Sequence, residues 1–323
     1  MERDAETGGA PPGDILKRLV LIKHRLMLSA AAAALLTAAL AGARADTEIS
    51  TATSTALTTT SAGNIVIDAT GAVNISQAAV PIITINSANS VTNNGALSNN
   101  ADGGFGVVID TTAGSFQSTG FTSTGTIDLS ANGTNKRGII IQGGNTFYGP
   151  ITLTTLTAVT LTGATAATQS SALLVQGDAS AGLLLVQGTS VTSNILLAGG
   201  GIVQNASVNS TASNSIMVDL DGTLNGNFIN AASLSGVGPG IIGVQTVGGI
   251  HSCASDAAIP AGFTCPSSSG GSFVNGGQIS LIGSRTFNSP ADRQGIGEQS
   301  CGKLMLSGKR LNYSRRWWPF SWR

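Results

Sequence analysis

The sequence predicts an all-β fold, a right-handed parallel β-helix, over residues 64–292. Three observations lead there. Short apolar runs rich in Val, Ile and Leu recur between Gly, Asn, Asp and Ser punctuation, the pattern of many brief strands and turns. No window offers apolar residues at i, i+3, i+4 and i+7 over three turns, so a helix there would have no face to bury. Aromatic residues make up only 4% of the chain, too few to fill a sandwich core about 10 Å thick. Small branched side chains stacked coil upon coil suit a narrow core instead.

The first 45 residues read as an export signal, expected to be disordered or helical. Lys17, Arg18, Lys23 and Arg25 supply positive charge, and an uncharged stretch of 18 residues follows from Leu26 to Ala43. Small residues at Ala43 and Ala45 then precede Asp46, the layout of a secretory signal peptide cleaved between Ala45 and Asp46. Eighteen residues also stand at the lower edge for a membrane anchor, but the Ala/Gly-rich end and the small-x-small site favour cleavage. The long segment before the basic residues suggests an over-extended start. Residues 46–63 are dominated by Ser and Thr and read as a flexible lead-in.

From Asn64 the strands follow one another. Early runs are NIVIDA (64–69), PIITIN (81–86), GVVID (106–110), GTIDLS (125–130) and GIIIQG (138–143). Later ones are Ile151–Gly163, Asn194–Asn205, Ser215–Leu224, Gly240–Val247 and Gln278–Gly283. The pentapeptide LLVQG occurs at Leu173–Gly177 and again at Leu184–Gly188. Strand centres early in the chain recur every 20–24 residues, which predicts about ten coils and a column of about 50 Å at about 4.8 Å per coil. In such a stack, Asn or Thr residues form ladders along the turns. A transmembrane barrel needs aromatic girdles, and residues 46–292 hold one Tyr and no Trp.

Charge divides the chain in the same way. The formal net charge is zero, but residues 46–292 hold three basic and eleven acidic side chains, whereas residues 293–323 hold seven basic and one acidic. An acidic, sparsely charged middle carries no footprint for nucleic acid. All three Trp lie in the last seven residues, as Trp317, Trp318 and Trp322. Residues 293–323 therefore read as an irregular basic and aromatic tail. Its abrupt composition points to a reading-frame change near Arg293, and a membrane-touching tail is the alternative.

Taken together, the signal layout, the Gly/Asn/Thr-rich strands of irregular length and the scarcity of Lys resemble the passenger portion of an autotransporter, a type V secreted protein. The resemblance covers roughly residues 30–291. It is carried by the paired LLVQG, by DLDGTLNGNFIN (Asp219–Asn230) and by NGGQISLIGSRTFNSP (Asn275–Pro290). It implies a non-enzymatic surface or secreted role in adhesion or as a stalk, partnered by the export machinery and by a surface glycan or protein ligand. It implies no cofactor. Outer-membrane contact would come only through a translocator β-barrel, which is not seen in this sequence; otherwise the destination is the periplasm or the medium. A non-functional truncated product is a further alternative.

Chemistry-bearing residues are few. Cys253 and Cys265, twelve apart with Pro260 and Gly262 between them, are expected to close a surface loop as a disulfide in an oxidising compartment. Zinc is disfavoured, since only His251 lies nearby. Asp219 and Asp221 share one face of a strand by their i, i+2 spacing and are the best candidates for a carbohydrate-active β-helix enzyme, although DLDG reads equally well as a strand entering a turn. Lys136 and Arg137 read as a solvated turn. GGFGVVID lacks the Asp of a calcium nonapeptide, and Gly238, Gly240 and Gly243 enclose Pro239, unlike a dinucleotide loop. No catalytic, metal or cofactor-binding residue is assigned.

Overall fold

The computed structural model describes residues 45–282, apart from 132, 155–157, 161–167, 200, 206–214, 239 and 268, together with 305–306 and 309–310. The expected signal segment before Ala45 and most of the tail lie outside the described residues.

Four parallel sheets wrap one core. The first runs through Thr47–Ile49, Ile65–Ile67, Val91–Asn93, Phe121–Ser123, Ile151–Leu153, Ile195–Leu197, Phe228–Asn230 and Phe273–Asn275. The second starts at Ala52–Thr53 and reaches Gln278–Ile282; the third starts at Leu57–Thr58 and includes Arg137–Gln142, Ala181–Leu185, Ile216–Leu220 and Ile242–Thr246. From Phe116–Gln117 onward a fourth sheet appears, continuing through Thr146–Tyr148, Ser190–Thr192, Thr223–Asn225 and Ile250–His251. The chain visits the sheets in a fixed order and returns to the first, so each strand pairs in parallel with its counterpart one coil away. That is a parallel β-helix.

Sequence alternation explains the layers. In the three-residue strands of the first sheet the outer two side chains point in and the middle one points out: Ile65 and Ile67 are buried while Val66 is half-buried, and Ile151, Thr152 and Leu153 repeat the pattern. Inward Ile, Val and Leu from all four sheets form one continuous cluster from Ile65 to Val244. Two aromatic pairs pack as register partners, Phe228 and Phe273 with their rings nearly parallel at 5.5 Å and Phe116 and Phe147 edge-on at 5.4 Å. At the corner between the first and second sheets, buried Asn93 donates from Nδ2 to Ser123 Oγ over 3.0 Å and buried Asn230 from Nδ2 to Asn275 Oδ1 over 2.7 Å. Each Asn also accepts from its own turn, Asn93 from the Gly95 amide and Asn230 from the Ala232 amide.

Several expectations change. Residues 46–63, expected to be flexible, form the first coil, since Thr47–Ile49 pairs with Ile65–Ile67, Ala52–Thr53 with the strand at Ala72 and Leu57–Thr58 with the strand at Ile83. Its Thr side chains bond within the coil and to the next one, with Thr47 Oγ1 donating to the Ala62 carbonyl at 2.6 Å and the Asn86 amide donating to Thr59 Oγ1. Composition alone hid this because hydroxyl side chains serve a coil corner as readily as solvent.

Coil lengths also differ from 20–24 residues. Successive register partners in the first sheet, from Thr47 to Phe273, lie 18, 26, 30, 30, 44, 33 and 45 residues apart. The eight strands span about 34 Å at about 4.8 Å each. The lengthening has three sources: the fourth sheet, an excursion in which Ala158–Thr160 pairs antiparallel with Thr168–Ser170, and a loop between His251 and Phe273. Within the tail, expected to be irregular, Met305–Leu306 adds to the third sheet at Gln245 and pairs antiparallel with Lys309–Arg310.

Candidate functional site

Two features of the described coils carry chemistry-bearing side chains: a carboxyl pair on the third sheet and a disulfide-closed loop over the fourth.

The strand Ile216–Leu220 turns Val218 and Leu220 into the core, so Asp219 faces outward, and Asp221 follows on the same side where the strand ends. Asp219 is nonetheless only 8% exposed. It lies between Leu184 of the preceding coil and Gln245 of the next, and Gln245 Nε2 donates to its Oδ1 at 3.4 Å. Burial pushes the Asp219 carboxyl up to about 7; the charge of Asp221 and a hydrogen bond shared with it act in the same direction, while Arg137 and Gln245 pull it down. Burial and a neighbouring negative charge both disfavour the ionised form of Asp219.

Arg137 belongs to the outer face two coils earlier, where its guanidinium donates to the carbonyls of Ala179 at 2.6 Å and Lys136 at 3.0 Å. Its neighbour overturns the solvated-turn reading. Lys136 is fully buried, its ammonium donating to the carbonyls of Leu129 (2.9 Å) and Ala131. Burial lowers the Lys136 pKa, and the charges of Asp128 and Asp102 partly oppose that. A lone Lys-Arg pair between Asn135 and Gly138 carries no sequence signal for this, because the corner that swallows Lys136 is created by carbonyls from the strand before it.

Cys253 and Cys265 are joined in a disulfide with their Cα atoms 5.8 Å apart. The loop they close lies back across the fourth sheet. Its Asp256 Oδ2 accepts from Thr192 Oγ1 at 2.6 Å, its Ala258 carbonyl accepts from the Tyr148 hydroxyl at 2.7 Å, and Phe263 packs edge-on against Tyr148 at 5.5 Å. Tyr148, Thr192, Asn225 and His251 occupy one register column, so the loop reaches back over three strand spacings. His251 is exposed at the far end of that column. Tyr148 and Thr192 were invisible as site residues in the sequence, since their partners lie far along the chain.

At the N-terminal end, Ala45 and Asp46 are exposed, and Asn64 Nδ2 donates to Asp46 Oδ1 at 2.9 Å. The compact unit of coils begins at Asp46. Beside it the Glu48 carboxyl is raised by hydrogen bonding to Asp68 and by that residue's charge.

Among the described residues no three of His, Cys, Asp and Glu converge as a metal site requires. Nor is any described helix long and apolar enough to cross a membrane. A scan against protein-family models, a search of curated proteins and a search of solved structures each returned no match.

Proposed function

We propose that this chain is an exported, non-enzymatic β-helical protein of the autotransporter-passenger type, acting as a stalk or adhesive rod. The observation that carries the reading is the first sheet. It keeps an unbroken register over eight strands and presents one outward side chain per strand, in the order Glu48, Val66, Thr92, Thr122, Thr152, Leu196, Ile229, Val274. From Val66 onward this ridge is uncharged, and neighbouring positions are one strand spacing apart, about 4.8 Å. A regular neutral ridge suits many weak simultaneous contacts with a surface glycan or protein. Export rests on the signal layout before Asp46, with the folded unit opening at that residue. Attachment to an outer membrane would come through a translocator barrel outside these residues; without one, the periplasm or the medium is the destination.

N-terminal sequencing of the chain recovered from a Gram-negative cell tests the export step, with Asp46 as the expected first residue. A chain retained in the cytoplasm with residues 1–45 attached would sink it. Binding to immobilised cell-surface glycans and proteins tests the ridge. Thr122→Arg should abolish binding without changing the far-UV spectrum, and retention of full binding would move the contact elsewhere.

A second reading, a carbohydrate-active enzyme, draws on one observation: a carboxyl raised to about 7 beside a second carboxyl is what a general acid needs. Polysaccharide cleavage lost in Asp219→Asn would support it, and inactivity of the intact chain across a polysaccharide panel would remove it.

A further inference from the structure

The Asp219–Asp221 pair sits where the chain leaves the third sheet for the fourth. That corner is held by main-chain bonds to the coil before: the Asp221 and Gly222 amides both donate to the Leu185 carbonyl at 3.0 and 2.9 Å, and the Thr223 amide donates to the Thr189 carbonyl at 3.0 Å. The next coil packs directly beneath, where a Cβ on Gly248 would lie 2.1 Å from the Gly222 carbonyl oxygen. The described groups acting on Asp219 are Asp221 at the end of its own strand, Arg137 from the strand two coils earlier and Gln245 from the following strand. Leu184, its neighbour on the preceding strand, brings no charge.

We propose that Asp219 and Asp221 form a proton-operated latch on this corner, closed when one proton is shared between them and released when that proton passes to solvent. With the proton present, Asp219 donates to the Asp221 carboxylate and the face carries one negative charge. Without it, two carboxylates lie side by side on a surface that is mostly out of water, and Arg137, the guanidinium within reach among the described residues, is already committed to two carbonyls. Separating the charges requires Asp221 to move, and its amide is one of the three that hold the corner. The proposal rests on the fold and not on the adhesive reading, and it stands or falls separately.

The direction with pH follows from linkage. The carboxyl is raised to about 7 in the closed corner, against about 3.9 for an Asp in the open chain. Opening is therefore coupled to proton loss between these values: the latch is tightest below about pH 4, weakens steadily up to about pH 7 and changes no further above it.

Amide hydrogen exchange on the full chain, corrected for the intrinsic effect of pH on exchange, reads the latch directly. Between about pH 5 and about pH 8, protection at Asp221, Gly222 and Thr223 should fall at least about tenfold. Protection at Thr124, which donates to the Asn93 carbonyl in another corner, should not follow it. Constant protection at the three amides, or an equal fall at Thr124, would overturn the proposal. Asp219→Asn should abolish the pH dependence, and its persistence in that variant counts equally against the latch. Carboxyl carbon NMR of the unmutated chain gives a reading independent of any variant's folding: a midpoint near 7 at Asp219 supports the latch, and one in the ordinary carboxylate range ends it.

Discussion

The hydroxyl of Tyr148 donates to the carbonyl of Ala258, 110 residues further along the chain, over 2.7 Å. Most pairing in the coils joins positions 18 to 45 residues apart, so this bond belongs to a different class of contact. With the Thr192–Asp256 bond and the Tyr148–Phe263 ring contact, it ties the disulfide loop down across the fourth sheet. Reduction of Cys253–Cys265 is expected to destabilise the protein by about 3 kcal/mol on the chain-entropy scale. Tyr148→Phe should cost about 1 kcal/mol by losing one hydrogen bond. Urea unfolding with and without reductant measures both, and a midpoint indifferent to reductant would show that the loop contributes nothing to stability.

Gly138 belongs to a column of glycines packed carbonyl to Cα between coils. A Cβ there would lie 2.4 Å from the Gly182 carbonyl oxygen and 2.6 Å from Leu173 Cδ1. Gly138→Ala should therefore destabilise by about 1–3 kcal/mol through overpacking. Gly270, where a Cβ would meet nothing within 4 Å among the described residues, is the control, and Gly270→Ala should change little. Equal unfolding midpoints for the two variants would show that the coils separate easily.

Lys136 fills its corner with a four-carbon stem and satisfies two carbonyls with its ammonium. Lys136→Ala should cost about 2–4 kcal/mol, the range for emptying a buried long side chain. Lys136→Met keeps the volume and sheds the buried charge, so its cost should be under about 1.5 kcal/mol. Thermal unfolding of the pair separates packing from charge, and equal losses would assign the whole effect to the ammonium.

Gln204 is fully buried in the second sheet, where its Nε2 donates to the Ser180 carbonyl at 2.8 Å while its Oε1 has no partner among the described residues. The Ser180 carbonyl also accepts from the Ile216 amide, so it stays satisfied without Gln204. A buried acceptor left unpaired costs about 1–3 kcal/mol. Gln204→Leu is accordingly expected to raise the unfolding midpoint, and a lowered midpoint would reveal a partner for Oε1.

The fold class was legible because alternation and punctuation report strands directly, and small side chains report a narrow core. Coil length was not legible, and the twin LLVQG segments show why. They are eleven residues apart yet belong to two different sheets of one coil, the first in Thr168–Gln176 and the second running on from Ala181–Leu185. The first turns Leu173 and Val175 inward, whereas the second turns only its second residue, Leu185, into the core. A shift of one residue inverts the facing of every side chain, so repeated letters did not mark repeated positions. The carboxyl pair was visible from its spacing, but its environment was not: Arg137 and Gln245 reach it only through coils 82 residues before and 26 after.

The loop over the fourth sheet also sets how the stack would yield to force. Among the described residues, the strands ahead of Tyr148 pair with those of adjacent coils, so tension along the axis peels those coils one at a time, each with its own small resistance. Between Tyr148 and Cys265 the loop acts as a rivet through four layers. That block can lengthen only by giving way all at once.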